Sequence, residues 1–276
     1  MAMNKPVAVI KVGGDMLLNQ ADRDGFASNL KDLTNAGWNC VVLHGGGPQL
    51  NTLQQLYGLV PTKIDGRRVT READLLVVKQ ALCGEVNVDL VASLVAANVN
   101  AFGCHGASGL LVQASKRPPM AFADHGVVDM GEVGDINQIN VALLRGLLAL
   151  DLVPVIASLG VDEHGRIFNI NADTTVSAIA RALNADVLIL STMVGGIFKD
   201  INDKQSRISE LTPNTAAELI SKRVITDGMI PKVQEALALL EHGVGSIVIA
   251  NAAVKGGFLA ISKGDNSIGT RLIRDI

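Results

Sequence analysis

Short apolar runs recur along this chain, each about the length of one strand, with helical patterns between several of them. "VAVIKV", "NCVVLH", "VNAFGCHG", "LVPVIASLG", "ADVLILST" and "GSIVIAN" show almost no polar alternation. Such strands have both faces covered, which is the signature of a parallel sheet packed by helices. The helical patterns between them include "ADRDGFASNLKDLTNAG", closed by Gly37, and "GPQLNTLQQLYG", ending at Gly58. "VALLRGLLALD", "ADTTVSAIARALN", "PNTAAELISKR" and "IPKVQEALALLEHG" follow. Strands alternating with helices predict an α/β fold, with helices on both faces of a largely parallel sheet.

Other segments carry weaker patterns. "READLLVVKQALCGEVNVDLVASLVAAN" predicts one long helix with a kink at Gly84, and "SIGTRLI" a last short strand. "IDGRRVT" and "DEHGRIFN" predict hairpins. Residues 115–140, with two prolines and several glycines, predict hairpins and loops carried on the edge of the sheet. The two halves of the chain are expected to be lobes of one continuous sheet.

Composition narrows the class. Of the 276 residues 48% are hydrophobic but only 3% aromatic, so the core is built from Val, Leu, Ile and Ala. A net charge of −3 argues against a general grip on nucleic acid. Cys40, Cys83 and Cys104 form no CxxC pair, and no two histidines have HxxxH spacing, which speaks against disulfides and structural zinc. "VALLRGLLALDLVPVIASLG" is too broken by Arg145, Asp151 and Pro154 to cross a membrane, and "MAMNKP" has no apolar signal core. A soluble cytoplasmic protein is expected.

The chemistry-bearing feature is Lys11, a cation inside an apolar run, followed at once by Gly13 and Gly14. A second strand ends in Gly45, Gly46 and Gly47. Both loops fall at the carboxyl ends of parallel strands, where open α/β sheets bind ligands. Glycines let the backbone approach an anion and offer it N–H groups, and a following helix N-terminus adds partial positive charge. "KVGG" alone fits a lysine snorkelling to the surface beside a turn equally well. Two such loops shift the balance to phosphate. The sequence has no GxxxxGK(S/T), no GxGxxG at Rossmann spacing and no GxSxG elbow to accompany "HGGG".

Three further clusters stand out. Arg67 and Arg68 adjoin Gly66; Asn169, Asn171 and Asp173 precede a helix; Lys232 opens another helix, against the usual charge preference there. Asp173, taken alone, reads as a helix cap.

Together, "IKVGG", "HGGGPQL", "GRRVT", "NINADTT" and "TDGMIPKV" resemble, in order and spacing, the N-acetylglutamate kinases of the amino acid kinase family. The resemblance runs from about Val7 to the final "GTRLI". It implies a three-layer αβα sandwich with a mainly parallel central sheet, a single domain over 1–276. An N-terminal lobe of about 1–165 would bind the acceptor and make a homodimer contact; a C-terminal lobe of about 166–276 would bind ATP. The implied reaction moves the γ-phosphoryl of ATP, with Mg2+ carried by the nucleotide and no separate protein metal site, to the γ-carboxylate of N-acetyl-L-glutamate. This is a step of arginine biosynthesis.

The resemblance also implies residue roles. Lys11 and Lys232 would stabilise the transferring group, with Asp173 between them. Gly13, Gly14, Gly45, Thr192, Gly195 and Gly196 would serve the nucleotide. Gly46, Gly47, Arg68 and Asn169 would bind the acceptor, Arg68 through its α-carboxylate. No nucleic-acid or membrane partner is implied. The chain departs from the family pattern at Met193, where "TDVxG" would carry an acid, and at Ser108, which also replaces an acid. Only six residues precede Val7, so a dimer without strong arginine feedback is expected rather than an arginine-inhibited hexamer. The alternatives are a sister kinase for another acylated amino acid, of the aminoadipate type, and a non-catalytic amino-acid or nucleotide sensor.

Overall fold

The apolar runs assemble into one eight-stranded sheet. We describe it from a computed structural model covering residues 5–225 and 229–275; the side chains of 229, 231, 232 and 235 lie outside the description. In spatial order the strands are Glu210–Leu211, Thr270–Leu272, Ser246–Ala250, Val187–Ser191, Val7–Val12 (β1), Asn39–His44 (β2), Val153–Ala157 and Ala101–His105. Every neighbouring pair is parallel except Ser246–Ala250 with Thr270–Leu272. Strands from the first part of the chain form one side of the sheet and strands after residue 186 the other, so the sheet is continuous across both.

The helices are α1 (Gln20–Asn35), α2 (Gly47–Leu56), α3 (Glu72–Lys79), α4 (Asn87–Ala96), α5 (Val141–Ala149), α6 (Ala172–Leu183), α7 (Pro213–Ser221), α8 (Met229–Glu241) and α9 (Gly257–Ser262). Side chains of a strand alternate between faces, and β1 shows which helices lie where. Ala8, Ile10 and Val12 pack with Phe26, Leu30 and Leu33 of α1, Leu90 and Leu94 of α4, and Phe258 of α9. The rings of Phe26 and Phe258 meet edge to face at 5.8 Å. Val9 faces the other way, toward Val176, Ile179 and Leu183 of α6, Leu144 and Leu148 of α5, and Leu240 of α8. Each such buried branched side chain contributes about 1.5–3 kcal/mol. The result is the expected three-layer α/β architecture. Lys11 shares the parity of Val9, so the pleat alone directs it to the α6 face.

Two expectations need correction. Residues 115–140 are not carried on the edge of the main sheet. Val112–Lys116 and Gly134–Ile139 join Leu159–Val161 and Ile167–Asn169 in a separate four-stranded sheet, with Met120–Phe122 and Gly126–Val128 as a small hairpin. The cause is that two adjacent strands, Ala101–His105 and Val153–Ala157, both continue past the main sheet and their extensions pair again at Gln113 and Val161. The crossing is close: a Cβ on Gly106 would lie 1.6 Å from the Leu159 carbonyl oxygen. The long helix is also not simply kinked at Gly84. Residues Gln80–Val86 form a π-helical segment between α3 and α4, an irregularity often found beside functional sites.

Candidate active site

β1 and β2 run side by side, and both end in glycine loops. The Gly45 N–H donates to the Val12 carbonyl at 2.9 Å, which fixes the second loop against the first. A Cβ on Gly14 would lie 2.9 Å from both Gly46 Cα and Gly47 N. The two loops therefore touch backbone to backbone, and only glycine permits it. Gly13 and Gly47, by contrast, border open space. α2 starts at Gly47, and no side chain caps it at Gly46, so its first N–H groups are available to an anion. Gln49 braces the arrangement by donating from Nε2 to the Gly14 carbonyl at 2.9 Å; its Oε1 is buried without a partner.

Lys11 reaches Asp173 on the α6 face, Nζ to Oδ1 at 3.1 Å. The lysine side chain is 16% exposed and the carboxylate 38%. Asp173 is not the helix cap. That role falls to Asn171, whose Oδ1 accepts from Asp173 N at 2.8 Å and Thr174 N at 3.2 Å. Capping by Asn171 leaves the Asp173 carboxylate for Lys11.

Behind the second loop lies fully buried His44. Its Nδ1–H donates to the Gly45 carbonyl at 3.0 Å, and its Nε2 accepts from Asn87 Nδ2 at 2.9 Å. Asn87 also donates to the Val155 carbonyl at 2.9 Å. Burial pushes the His44 pKa down to about 4, against a smaller opposing contribution from the Gly45 bond. The π-helical segment supplies the wall on this side: a Cβ on Gly46 would lie 2.5 Å from Leu82 Cδ2.

A pH dependence follows. An unfolded histidine takes up its proton near 6.5, so between there and about pH 4 the unfolded chain binds more protons than the fold. The stability contributed by neutral His44 is complete above the unfolded value and is lost as pH falls, by about 2 kcal/mol at pH 5. Thermal melts of the wild type and of His44→Gln at pH 7 and pH 5 measure this. The wild type should lose more stability than the variant, and equal losses would contradict the assignment.

Arg68 sits on the hairpin Thr62–Ile64/Arg67–Val69 and turns toward α2. Its Nη2 donates to Asn51 Oδ1 at 2.6 Å and its Nη1 to Gln54 Oε1. α2 thus carries the glycine loop at its start and anchors Arg68 along its length. Asn169 donates to Thr70 Oγ1 at 3.0 Å, and the Thr70 carbonyl accepts from Glu132 N at 2.6 Å. These bonds tie the Arg68 hairpin to the second sheet.

On the other side of β1, Thr192 follows the strand Val187–Ser191. Its Oγ1 accepts from Gly195 N at 3.0 Å, and Gly195 has a φ of +78°. Met193, standing where the family pattern has an acid, is 52% exposed. Gly196 completes the turn. Lys232 belongs to α8, but its side chain lies outside the described residues.

The structure therefore joins Lys11, Asp173, Gly14, Gly45, Gly46 and Gly47 into one centre, with Arg68 linked to it through α2. Sequence reasoning missed Gln49, His44, Asn87, Asn51 and Gln54. The one available signal was the Asn51/Gln54 spacing of three on a helix that also carries Leu50 and Leu53. Among the described residues no group of three or more His, Cys, Asp or Glu side chains is arranged to hold a metal ion.

A parallel sheet with two touching glycine loops and a paired lysine at its carboxyl edge defines an anion-binding α/β site. Residues 6–251 match the model of the amino acid kinase family, and the chain belongs to that family. It is 42% identical to the acetylglutamate kinase of Anaeromyxobacter dehalogenans strain 2CP-C, over 96% of this chain and 98% of that protein. It is 37% identical to the acetylglutamate kinase of Methanocaldococcus jannaschii, over 98% of this chain and 91% of that one. Among solved structures it resembles smu.665 from Streptococcus mutans UA159, with 31% identity, a TM-score of 0.77, and 98% and 99% of the two chains covered. It also resembles N-acetylglutamate synthase from Neisseria gonorrhoeae, complexed with coenzyme A and N-acetyl-glutamate. There the identity is 25%, the TM-score 0.81, and the coverage 98% of this chain and 60% of that one.

Proposed function

We propose that this chain is an acetylglutamate kinase, transferring the γ-phosphoryl of MgATP to the γ-carboxylate of N-acetyl-L-glutamate. The observation that carries the proposal is the Lys11–Asp173 pair beside two mutually packed glycine loops. Full-length identity to acetylglutamate kinases supports the choice of acceptor.

The residues fit a polyphosphate. A cradle in which a Cβ at Gly14 would collide, open space at Gly13 and Gly47, an uncapped helix start and a cation suit an anion rather than an apolar ligand. Magnesium entering with the nucleotide supplies neutralisation of phosphate charge. The acceptor carboxylate is ionised and nucleophilic at neutral pH, so no general base is required. Its oxygen bonds to the γ-phosphorus as the bond to the leaving ADP oxygen breaks, and no proton moves. Catalysis is then positioning plus charge stabilisation. Lys11 neutralises charge on the transferring group, and Asp173 holds the lysine in place. In this reading Lys232 approaches the same group, while Thr192, Gly195 and Gly196 serve the nucleotide. Gly46, Gly47, Arg68 and Asn169 hold the acceptor, with the lobes dividing near residue 165.

The reading includes a cytoplasmic homodimer formed through the N-terminal lobe. Supporting this, Ala101–His105 is an edge strand with Phe102 exposed, and Val88 and Val95 of the neighbouring α4 are exposed as well. Among the described residues no helix is long and apolar enough to cross a membrane. Acceptor choice is tested by ADP release from MgATP with N-acetyl-L-glutamate, L-glutamate and N-acetyl-L-aminoadipate compared. Fastest turnover with acetylglutamate is expected. Preference for the aminoadipate compound would reassign the acceptor, and ATP binding without turnover would favour a sensor.

A further inference from the structure

The neighbourhood of Arg68 has an unusual charge layout. Its guanidinium is held by two neutral amides, Asn51 and Gln54, although a carboxylate lies one residue beyond. That carboxylate is Asp74, 1% exposed, which accepts from Gln54 Nε2 at 2.6 Å. Asp74 spends its charge on Arg71, accepting from Nε at 2.6 Å and from the backbone N at 3.0 Å. Gln54 is itself fully buried, with its amide oxygen toward Arg68 and its amide nitrogen toward Asp74. Among the described residues no carboxylate lies within 4.0 Å of Arg68.

We propose that Asn51 and Gln54 are positioning residues that present Arg68 to the acceptor with its charge unspent, Gln54 keeping it apart from Asp74. The proposal rests on the reading that Arg68 pairs with the acceptor α-carboxylate. An amide suits the Gln54 position because it carries both a donor and an acceptor without net charge. A glutamate there would pair its charge with Arg68 and compete with the substrate carboxylate for it. It would also set two carboxylates side by side against Asp74. With amides, two of the five guanidinium N–H groups fix the plane and the others remain for a ligand.

The variant Asn51→Asp tests this, since it changes one atom at a partly exposed site. It supplies Arg68 with a competing carboxylate. The apparent KM for N-acetyl-L-glutamate should rise about tenfold or more, the size of one lost charge-assisted contact. The KM for ATP and the turnover at saturation should change less than about twofold, and the melting temperature should hold or rise because an ion pair has formed. A residue that only supported the fold would not move stability and acceptor affinity in opposite directions. Gln54→Glu should show the same KM effect; if it does not fold, Asn51→Asp alone decides. An unchanged acceptor KM in folded Asn51→Asp overturns the proposal. Arg68→Ala separates the two levels. If it leaves the acceptor KM unchanged, the reading of Arg68 itself fails. If it raises that KM while Asn51→Asp does not, only the role of the amides fails.

Discussion

Replacing Lys11 with methionine should lower turnover by about a hundred- to a thousandfold, the usual cost of removing one preorganised charge-stabilising donor. The fold should survive the change. Methionine matches the length and flexibility of the lysine stem, and the stem packs on the same face as Val9 and α6. Asp173, left without its partner, is 38% exposed and can be solvated. Loss should therefore fall on kcat, with the melting temperature little changed and ATP still bound. Asp173→Asn, which keeps Lys11 charged but loosens its placement, should lose less. Turnover of Lys11→Met within about threefold of the wild type would remove Lys11 from the chemistry.

Gly14→Ala should be damaging for a steric reason. The added methyl would lie 2.9 Å from Gly46 Cα and Gly47 N, backbone atoms that cannot swing away. The two loops must separate, at a stability cost of about 1–3 kcal/mol. A shift of this kind in a positioned phosphate site lowers kcat/KM by about a hundredfold. Gly47→Ala is the control. Its Cβ would meet no protein atom, so stability should hold while ligand binding suffers. Equal melting temperatures for Gly14→Ala and the wild type would show that the loops are not packed as described.

The central sheet was legible because parallel strands buried on both faces leave uninterrupted apolar runs. Lys11 stood out for the same reason: it breaks such a run. The second sheet was not legible. One of its strands, Leu159–Val161, runs straight on from Val153–Ala157, so "LVPVIASLG" reads as one run where the chain changes sheet at Ser158. The π-helical turn escaped because apolar spacing over seven residues does not separate it from an α-helix. α9, at six residues, carries too little periodicity to register.

At the site, Lys11, Gly14, Gly45 and Asp173 were visible as glycine and charge patterns. Their supports were not. His44 and Asn87 are 43 residues apart, and Gln49 and Gly14 are 35 apart. Buried polar partnerships of this kind leave no local pattern. The capping role suggested by Asp173 was displaced to Asn171, two residues earlier, because both residue types cap well.

The most direct test of the account is to trap the product. The purified protein is incubated with MgATP, N-acetyl-L-glutamate and hydroxylamine, and the hydroxamate is measured against reactions lacking acceptor or nucleotide. An acyl phosphate formed at the γ-carboxylate gives hydroxamate that depends on both substrates and forms about a hundred- to a thousandfold more slowly in Lys11→Met. A folded protein that binds ATP yet forms no hydroxamate from acetylglutamate would contradict it.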